Sequence, residues 1–229
     1  MPFRSFDALI FDLDGTLIDS VPDIAAAIGR RLRAAGLEPL PIERTASFVG
    51  QGTRRLVERA FAHRGRPLDA RELDRRQAEF EADYARHCAV KTRPYPEVAE
   101  TLAELARLHC RMAVCTNKPE AISRDVLAAL DLSRYFGAVV GGDTCAARKP
   151  DPEPLFACAR ALDVEPGRCI YVGDSLTDAE TARRASMRLI LVSYGYESAA
   201  LDAQGAVAVL ERFGRLVEVL VHLPPPSST

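Results

Sequence analysis

The stretch ALIFDLDGTLIDS, residues 8–20, limits the possible folds more than any other part of the chain. Ala8 to Phe11 form a short apolar run that stops abruptly at Asp12. A run of this length, closed by a turn signal, suits a strand buried on both faces of a parallel sheet. Asp14 follows two positions later, then Gly15 and Thr16. In extended chain, positions two apart point the same way, so both carboxylates can face one site. Gly15 lets the chain turn where a side chain would obstruct it. Two carboxylates about 5 Å apart repel by roughly 3 kcal/mol at an effective dielectric near 20. A proton on one of them, or a cation between them, would relieve that repulsion.

The pattern after this stretch is helical. Ser20 is the expected N-cap, Pro22 suits an early helical position, and Ile24, Ile28 and Leu32 recur at helical spacing until Gly36. A Pro-broken connection leads to FVGQGTRRLVERAFAHRG, a Gly-x-Gly turn opening a second helix, and residues 69–88 read as a third. Residues 17–88 are therefore expected to be helical throughout. From Pro94 strands and helices alternate. Strands are expected at 112–115, 138–140, 169–172 and 189–192, with helices at 96–109, 119–130, 152–162, 176–186 and 211–222. The segment 223–229 reads as a disordered tail.

Alternating buried-type strands and helices predict a parallel sheet covered on both faces. Ligands of such sheets bind beyond the carboxyl ends of the strands. Those ends carry Asp12 and Asp14, Thr116 and Asn117, Asp143, and Asp174, with Lys149 shortly after the third strand. The helical segment leaves the sheet just after the first of these turns, which places it as a lid over the same edge. Three carboxylates of hard oxygen suit Mg²⁺ together with water and substrate phosphate. Phosphoryl transfer needs mainly positioning, cations and donors. Lys149 can supply charge and Thr116 a hydroxyl, while backbone N–H groups near Gly15 and Asn117 can add further donors. A carboxylate can itself attack phosphorus. Asp12, at the strand end, is the better-fixed nucleophile, leaving Asp14 for general acid–base work.

The motifs FDLDGTLIDS, VCTNK, RKPDPEP and GDSLTDAETA, in this order across the chain, resemble the four motifs of the haloacid dehalogenase superfamily. The resemblance implies an α/β fold: a Rossmann-like parallel-sheet core of residues 1–16 and 89–229, with a small α-helical cap domain, residues 17–88, inserted in it. It implies Asp12 as nucleophile and Asp14 as acid/base. Thr116 and Lys149 would hold the phosphoryl group. Mg²⁺ would be held by the Asp12 side chain, the Asp14 backbone carbonyl and Asp174, with Asp178 orienting the metal shell or Lys149. An acid at position 14 favours phosphate over halide chemistry. FVGQGTRRLVERAF, TRPYPEV and SYGYES further resemble bacterial phosphoglycolate phosphatases. One departure is Ser186, where a glycine is usual, with a small change expected in that turn.

The expected activity is Mg²⁺-dependent hydrolysis of a small phosphate monoester, with 2-phosphoglycolate as the leading substrate. Another sugar phosphate or nucleotide, phosphomutase chemistry, and a non-catalytic phosphate-binding protein are the alternatives. In the cap, Gln51, Thr53 and Arg54 either meet the substrate or form a solvated helix face. The net charge of −2 lacks the basic stripe of a nucleic-acid binder, and no apolar run reaches membrane-spanning length. The six cysteines show no CxxC spacing and read as buried, reduced thiols. The expected setting is cytoplasmic, as a monomer or homodimer.

Overall fold

The computed structural model describes residues 5–197 and 205–224. The chain opens with strand β1 (Ala8–Phe11) and a two-residue strand β2 (Ile18–Asp19). Four helices follow, α1 (Val21–Ala34), α2 (Ile42–Ala46), α3 (Thr53–His63) and α4 (Ala70–Ala85). Strand β3 (Arg93–Pro94) returns antiparallel to β2. Then come α5 (Val98–Arg107), β4 (Arg111–Cys115), α6 (Glu120–Ala129), β5 (Ala138–Val140) and α7 (Glu153–Ala161). The remainder is β6 (Cys169–Gly173), α8 (Leu176–Arg184), β7 (Arg188–Val192), β8 (Ala208–Leu210) and α9 (Leu216–His222).

Six strands form one parallel sheet in the order β5-β4-β1-β6-β7-β8, a Rossmann-like α/β core. β1 is central, and all four of its residues are buried. Successive side chains of a strand alternate between faces. Accordingly Leu9, Phe11, Met112, Val114, Ile170 and Val172 pack with Leu102, Val126 and Phe213 on one side. Ala8, Ile10, Ala113, Cys115, Cys169 and Tyr171 pack with Leu155, Cys158 and Ala182 on the other. Each fully buried Leu, Ile or Phe of β1 contributes about 1.5–3 kcal/mol. The chain leaves β1 for β4 on one side and reaches β6 on the other. The carboxyl end of β1 therefore lies at a topological switch point, where such sheets bind ligands.

Helices α1, α3 and α4 pack on one another between β2 and β3. The ends of this excursion are tied together by Asp23 on α1. Its Oδ2 accepts from the Lys91 and Thr92 N–H groups and the Thr92 hydroxyl, each at 2.8 Å. The expectation of helix throughout 17–88 is corrected by Ile18–Asp19, a pairing too short to leave an alternation pattern. Ser20 caps no N–H of α1: its backbone is already helical there (φ −103°, ψ −5°), and its hydroxyl turns to donate to Asp14. β8 was not expected, and the last helix begins as a 3₁₀ turn at Phe213–Arg215. Ser186 takes φ +51°, the left-handed conformation that a glycine adopts more cheaply. The expected disordered tail falls largely on 225–229, outside the described residues. All six cysteines are free thiols. Among the described residues no helix is long and apolar enough to cross a membrane.

Candidate active site

Several of the candidate side chains follow directly on the end of a strand. Asp12 ends β1, with its N–H donating to the Val172 carbonyl of β6. Its carboxylate is buried; Oδ1 accepts from the Leu13 N–H at 2.7 Å and lies 2.9 Å from Lys149 Nζ. The Lys149 ammonium also donates to Asp178 Oδ1 and to the Tyr171 hydroxyl, both at 2.8 Å. Asp178 sits in the first turn of α8 as half of a capping box with Ser175. Its Oδ2 accepts from the N–H groups of Asp174 and Ser175 and from the Ser175 hydroxyl. Its Oδ1 accepts from Tyr171 as well as Lys149. Both oxygens of Asp178 are thus committed to orienting neighbours.

Asp174 ends β6. It accepts from the Thr16 hydroxyl at 2.9 Å through Oδ1 and from the Tyr196 N–H at 2.9 Å through Oδ2. Gly15 makes this approach possible. It has φ +91°, and a Cβ there would lie 2.3 Å from Asp174 Oδ2. Gly173 serves Asp178 in the same way, since its Cβ would lie 2.5 Å from that residue's Cβ.

Carboxylate oxygens of Asp12, Asp174 and Asp178 lie within 4.8 Å of one another, all buried. Burial pushes the Asp12 carboxyl up to about 7, against the pull of Lys149 and with Asp178 adding to the rise. Burial, then Asp178 and Asp12, hold Asp174 well above the usual carboxylate range. Burial would raise Asp178 too, but Lys149, Ser175 and Tyr171 outweigh it and leave that carboxyl lowered. Burial opposes charge on Lys149, yet Asp12 and Asp178 hold its ammonium above the usual range. One ammonium does not balance three carboxylates. The excess of negative oxygen donors, with Asp12 and Asp174 less committed than Asp178, fits a hard divalent cation.

Asp14 is balanced separately. Lys118 Nζ donates to both of its oxygens, at 2.8 and 2.9 Å, and the Ser20 hydroxyl to Oδ1 at 2.5 Å. The repulsion expected between Asp12 and Asp14 is thus met by two lysines, one per carboxylate. Lys118 was not singled out in the sequence, although it stands in the quoted VCTNK motif. Only its reach across to β1 reveals the pairing. Thr116 and Asn117 begin the loop after β4. Asn117 Nδ2 donates to the Gly50 carbonyl at 2.9 Å and the Lys149 carbonyl at 3.1 Å, joining the loop before α3 to the sheet edge. Asp143 makes a turn contact, accepting from the Glu120 N–H at the start of α6.

Asp12, Asp14, Thr116, Asn117 and Lys118 from the sheet edge line a cleft of about 440 Å³ including its mouth. Ile24, Val49, Thr53, Leu56, Phe80 and Tyr84 from the helical segment close it. Of the expected cap residues, Thr53 lines the cleft and hydrogen-bonds Glu81. Gln51 accepts from Arg59 at 2.7 Å, and Arg54 pairs with Asp74. Both belong to surface networks of the helices. Tyr171 and Tyr84 also reach the site region and carried no signal in the sequence, while Thr16 and Tyr196 stand in quoted motifs without an assigned role, because such roles depend on which way side chains point.

Comparison with known proteins matches this geometry to a lineage. A family model described as haloacid dehalogenase-like hydrolase covers residues 6–186. The chain is 42% identical over 213 residues to a phosphoglycolate phosphatase of Rhodospirillum rubrum, covering 91% of this chain and 88% of that one. It is 36% identical over 224 residues to one of Caulobacter vibrioides, covering 96% and 94%. A crystal structure of a predicted phosphoglycolate phosphatase from Haemophilus somnus superposes with a TM-score of 0.85 at 27% identity, over 93% of this chain and 97% of that one.

Proposed function

Because this chain belongs to the haloacid dehalogenase-like hydrolases, we propose that it is a Mg²⁺-dependent phosphatase that hydrolyses 2-phosphoglycolate through an aspartyl-phosphate on Asp12. The observation that carries this reading is the pair of separately neutralised carboxylates at one cleft: Asp12 against Lys149, and Asp14 against Lys118. Both carboxylates line the cleft, Asp12 fixed by Lys149 and the Leu13 N–H for attack and Asp14 beside it for proton transfer. The names of the relatives point to 2-phosphoglycolate.

In this reading the Asp12 oxygen attacks phosphorus in line with the ester oxygen, forming the O–P bond as the alcohol's O–P bond breaks. Lys149, buried beside Asp12, offsets charge on the phosphoryl oxygens, and the Thr116 hydroxyl donates to them. Asp14 then gives its proton to the departing glycolate oxygen. In the second half Asp14 takes a proton from water as that water attacks phosphorus, and Asp12 leaves with its electron pair. Asp12 and Asp174, with the Asp14 backbone carbonyl, would hold Mg²⁺. Bound there, the ion supplies positive charge to the phosphoryl oxygens. Asp178 holds Lys149 in place. Helices α1–α4 act as the cap that excludes water during the reaction.

Phosphate release from a panel of 2-phosphoglycolate, hexose phosphates, nucleoside monophosphates and ethyl phosphate tests the substrate. The expected result is a kcat/KM for 2-phosphoglycolate at least about tenfold above the others, lost on chelation and restored by Mg²⁺. A hexose phosphate or nucleotide in first place would replace the substrate and leave the chemistry standing.

A further inference from the structure

The cleft contains one phenol that the reaction above does not use. Tyr84, in the last turn of α4, is 1% exposed and lines the cleft with Asp14 and Lys118. Its hydroxyl makes no hydrogen bond of normal geometry among the described residues, with the Lys118 ammonium close enough to interact with it. Other tyrosines of the site region differ. The Tyr171 hydroxyl donates to Asp178, Tyr194 to the Thr16 carbonyl, and Tyr196 to Asp19. A buried hydroxyl without a well-formed hydrogen bond costs free energy, so its position invites a ligand group.

The surroundings narrow the kind of group. Lys118 Nζ stands 4.8 Å from the centre of the Tyr84 ring, a cation–π contact that fixes the ring beside the ammonium. Ile24, Leu56 and Phe80 supply apolar walls, and the charged groups facing the hydroxyl are the Lys118 ammonium and its partner Asp14. Burial pushes the phenol up to about 12, so it keeps its proton at neutral pH and can donate. A phenol donor in an apolar recess, with the Lys118–Asp14 pair beside it, suits an acceptor oxygen, and a phenol–carboxylate hydrogen bond is charge-assisted.

We propose that Tyr84 is a specificity-determining residue whose hydroxyl donates to the carboxylate of the substrate, at the end remote from the phosphoryl group. The inference rests on the reading of the substrate as 2-phosphoglycolate and assigns the contact that selects it. The helical segment then contributes to selection through α4 and not through Arg54 or Gln51, which are engaged elsewhere.

The test is Tyr84→Phe, which keeps the ring and its contact with Lys118. Activity is measured on 2-phosphoglycolate and on ethyl phosphate, which has the same two carbons and no carboxylate. The expected result is a fall in kcat/KM of about 10- to 100-fold for 2-phosphoglycolate. Ethyl phosphate should change by less than about twofold, since the phosphoryl machinery is untouched. The melting temperature should stay within about 3 °C of the parent, because the removed oxygen makes no hydrogen bond of normal geometry with the protein. Equal falls on both substrates, no change on either, or loss of folding would each overturn the assignment. A parent enzyme with no preference for 2-phosphoglycolate over ethyl phosphate would refute the substrate reading and this inference with it. That outcome is distinguishable, because it shows before any substitution is made.

Discussion

Asp12→Asn is expected to lower kcat by on the order of 10⁴-fold or more, with the protein still folded. An amide cannot supply the electron pair that forms the bond to phosphorus, and no neighbouring group is placed to replace it. Asp174 is held by Thr16 and the Tyr196 N–H, and both Asp178 oxygens are occupied by donors. The fold should tolerate the change because Asn is nearly isosteric and its oxygen can still accept from Leu13 and Lys149. It also removes a carboxylate whose burial opposes its charge. Phosphate release and a thermal melt on the same preparation check both halves. A variant that retains a tenth of the parent rate would exclude Asp12 as nucleophile.

Lys149→Met is expected to damage stability and activity together. The ammonium is the shared partner of Asp12 and Asp178, and its side chain is 2% exposed. Removing one member of a buried ionic cluster typically costs about 3–5 kcal/mol, because the remaining charges are left unpaired. Activity should fall by about 10³-fold as the charge beside the phosphoryl group disappears. The two effects separate in the double variant Lys149→Met, Asp178→Asn. Neutralising Asp178 should return part of the lost stability in urea unfolding, since one unpaired carboxylate is gone. It should return no activity. Recovery of turnover in the double variant would mean that Lys149 acts only by balancing Asp178.

The parts of this arrangement that were legible from the strand pattern alone share one property: they lie where a strand stops. Asp12, Thr116 and Asp174 each follow a short apolar run, so the alternation of buried strand and turn located them without knowledge of side-chain direction. Asp178 was legible at the motif level, but the reason for it was not. The capping box and the grip on Lys149 appear only once α8 is seen against β6. Lys118 was hidden because lysines at helix starts are ordinarily solvated, and its pairing with Asp14 spans 104 positions. Tyr84 was hidden for a similar reason. Period and composition show that α4 is a helix, but not which residue of its buried face meets the sheet edge. Strand β8 sits at the sheet edge with Val209 exposed, so it lacks the continuous apolar run that marked the inner strands. Asp23 lies in the first turn of α1, where acidic residues are common. It proves to fasten the return of the chain at Lys91 and Thr92.

The most direct test of the account is acid-quench peptide mass analysis during turnover of 2-phosphoglycolate with Mg²⁺. The predicted result is a peptide containing Asp12 heavier by one phosphoryl group, which disappears when substrate is exhausted and is absent in Asp12→Asn. Rapid phosphate release with Asp12 unmodified at every quench time, and the phosphoryl group on another residue or on none, would contradict it.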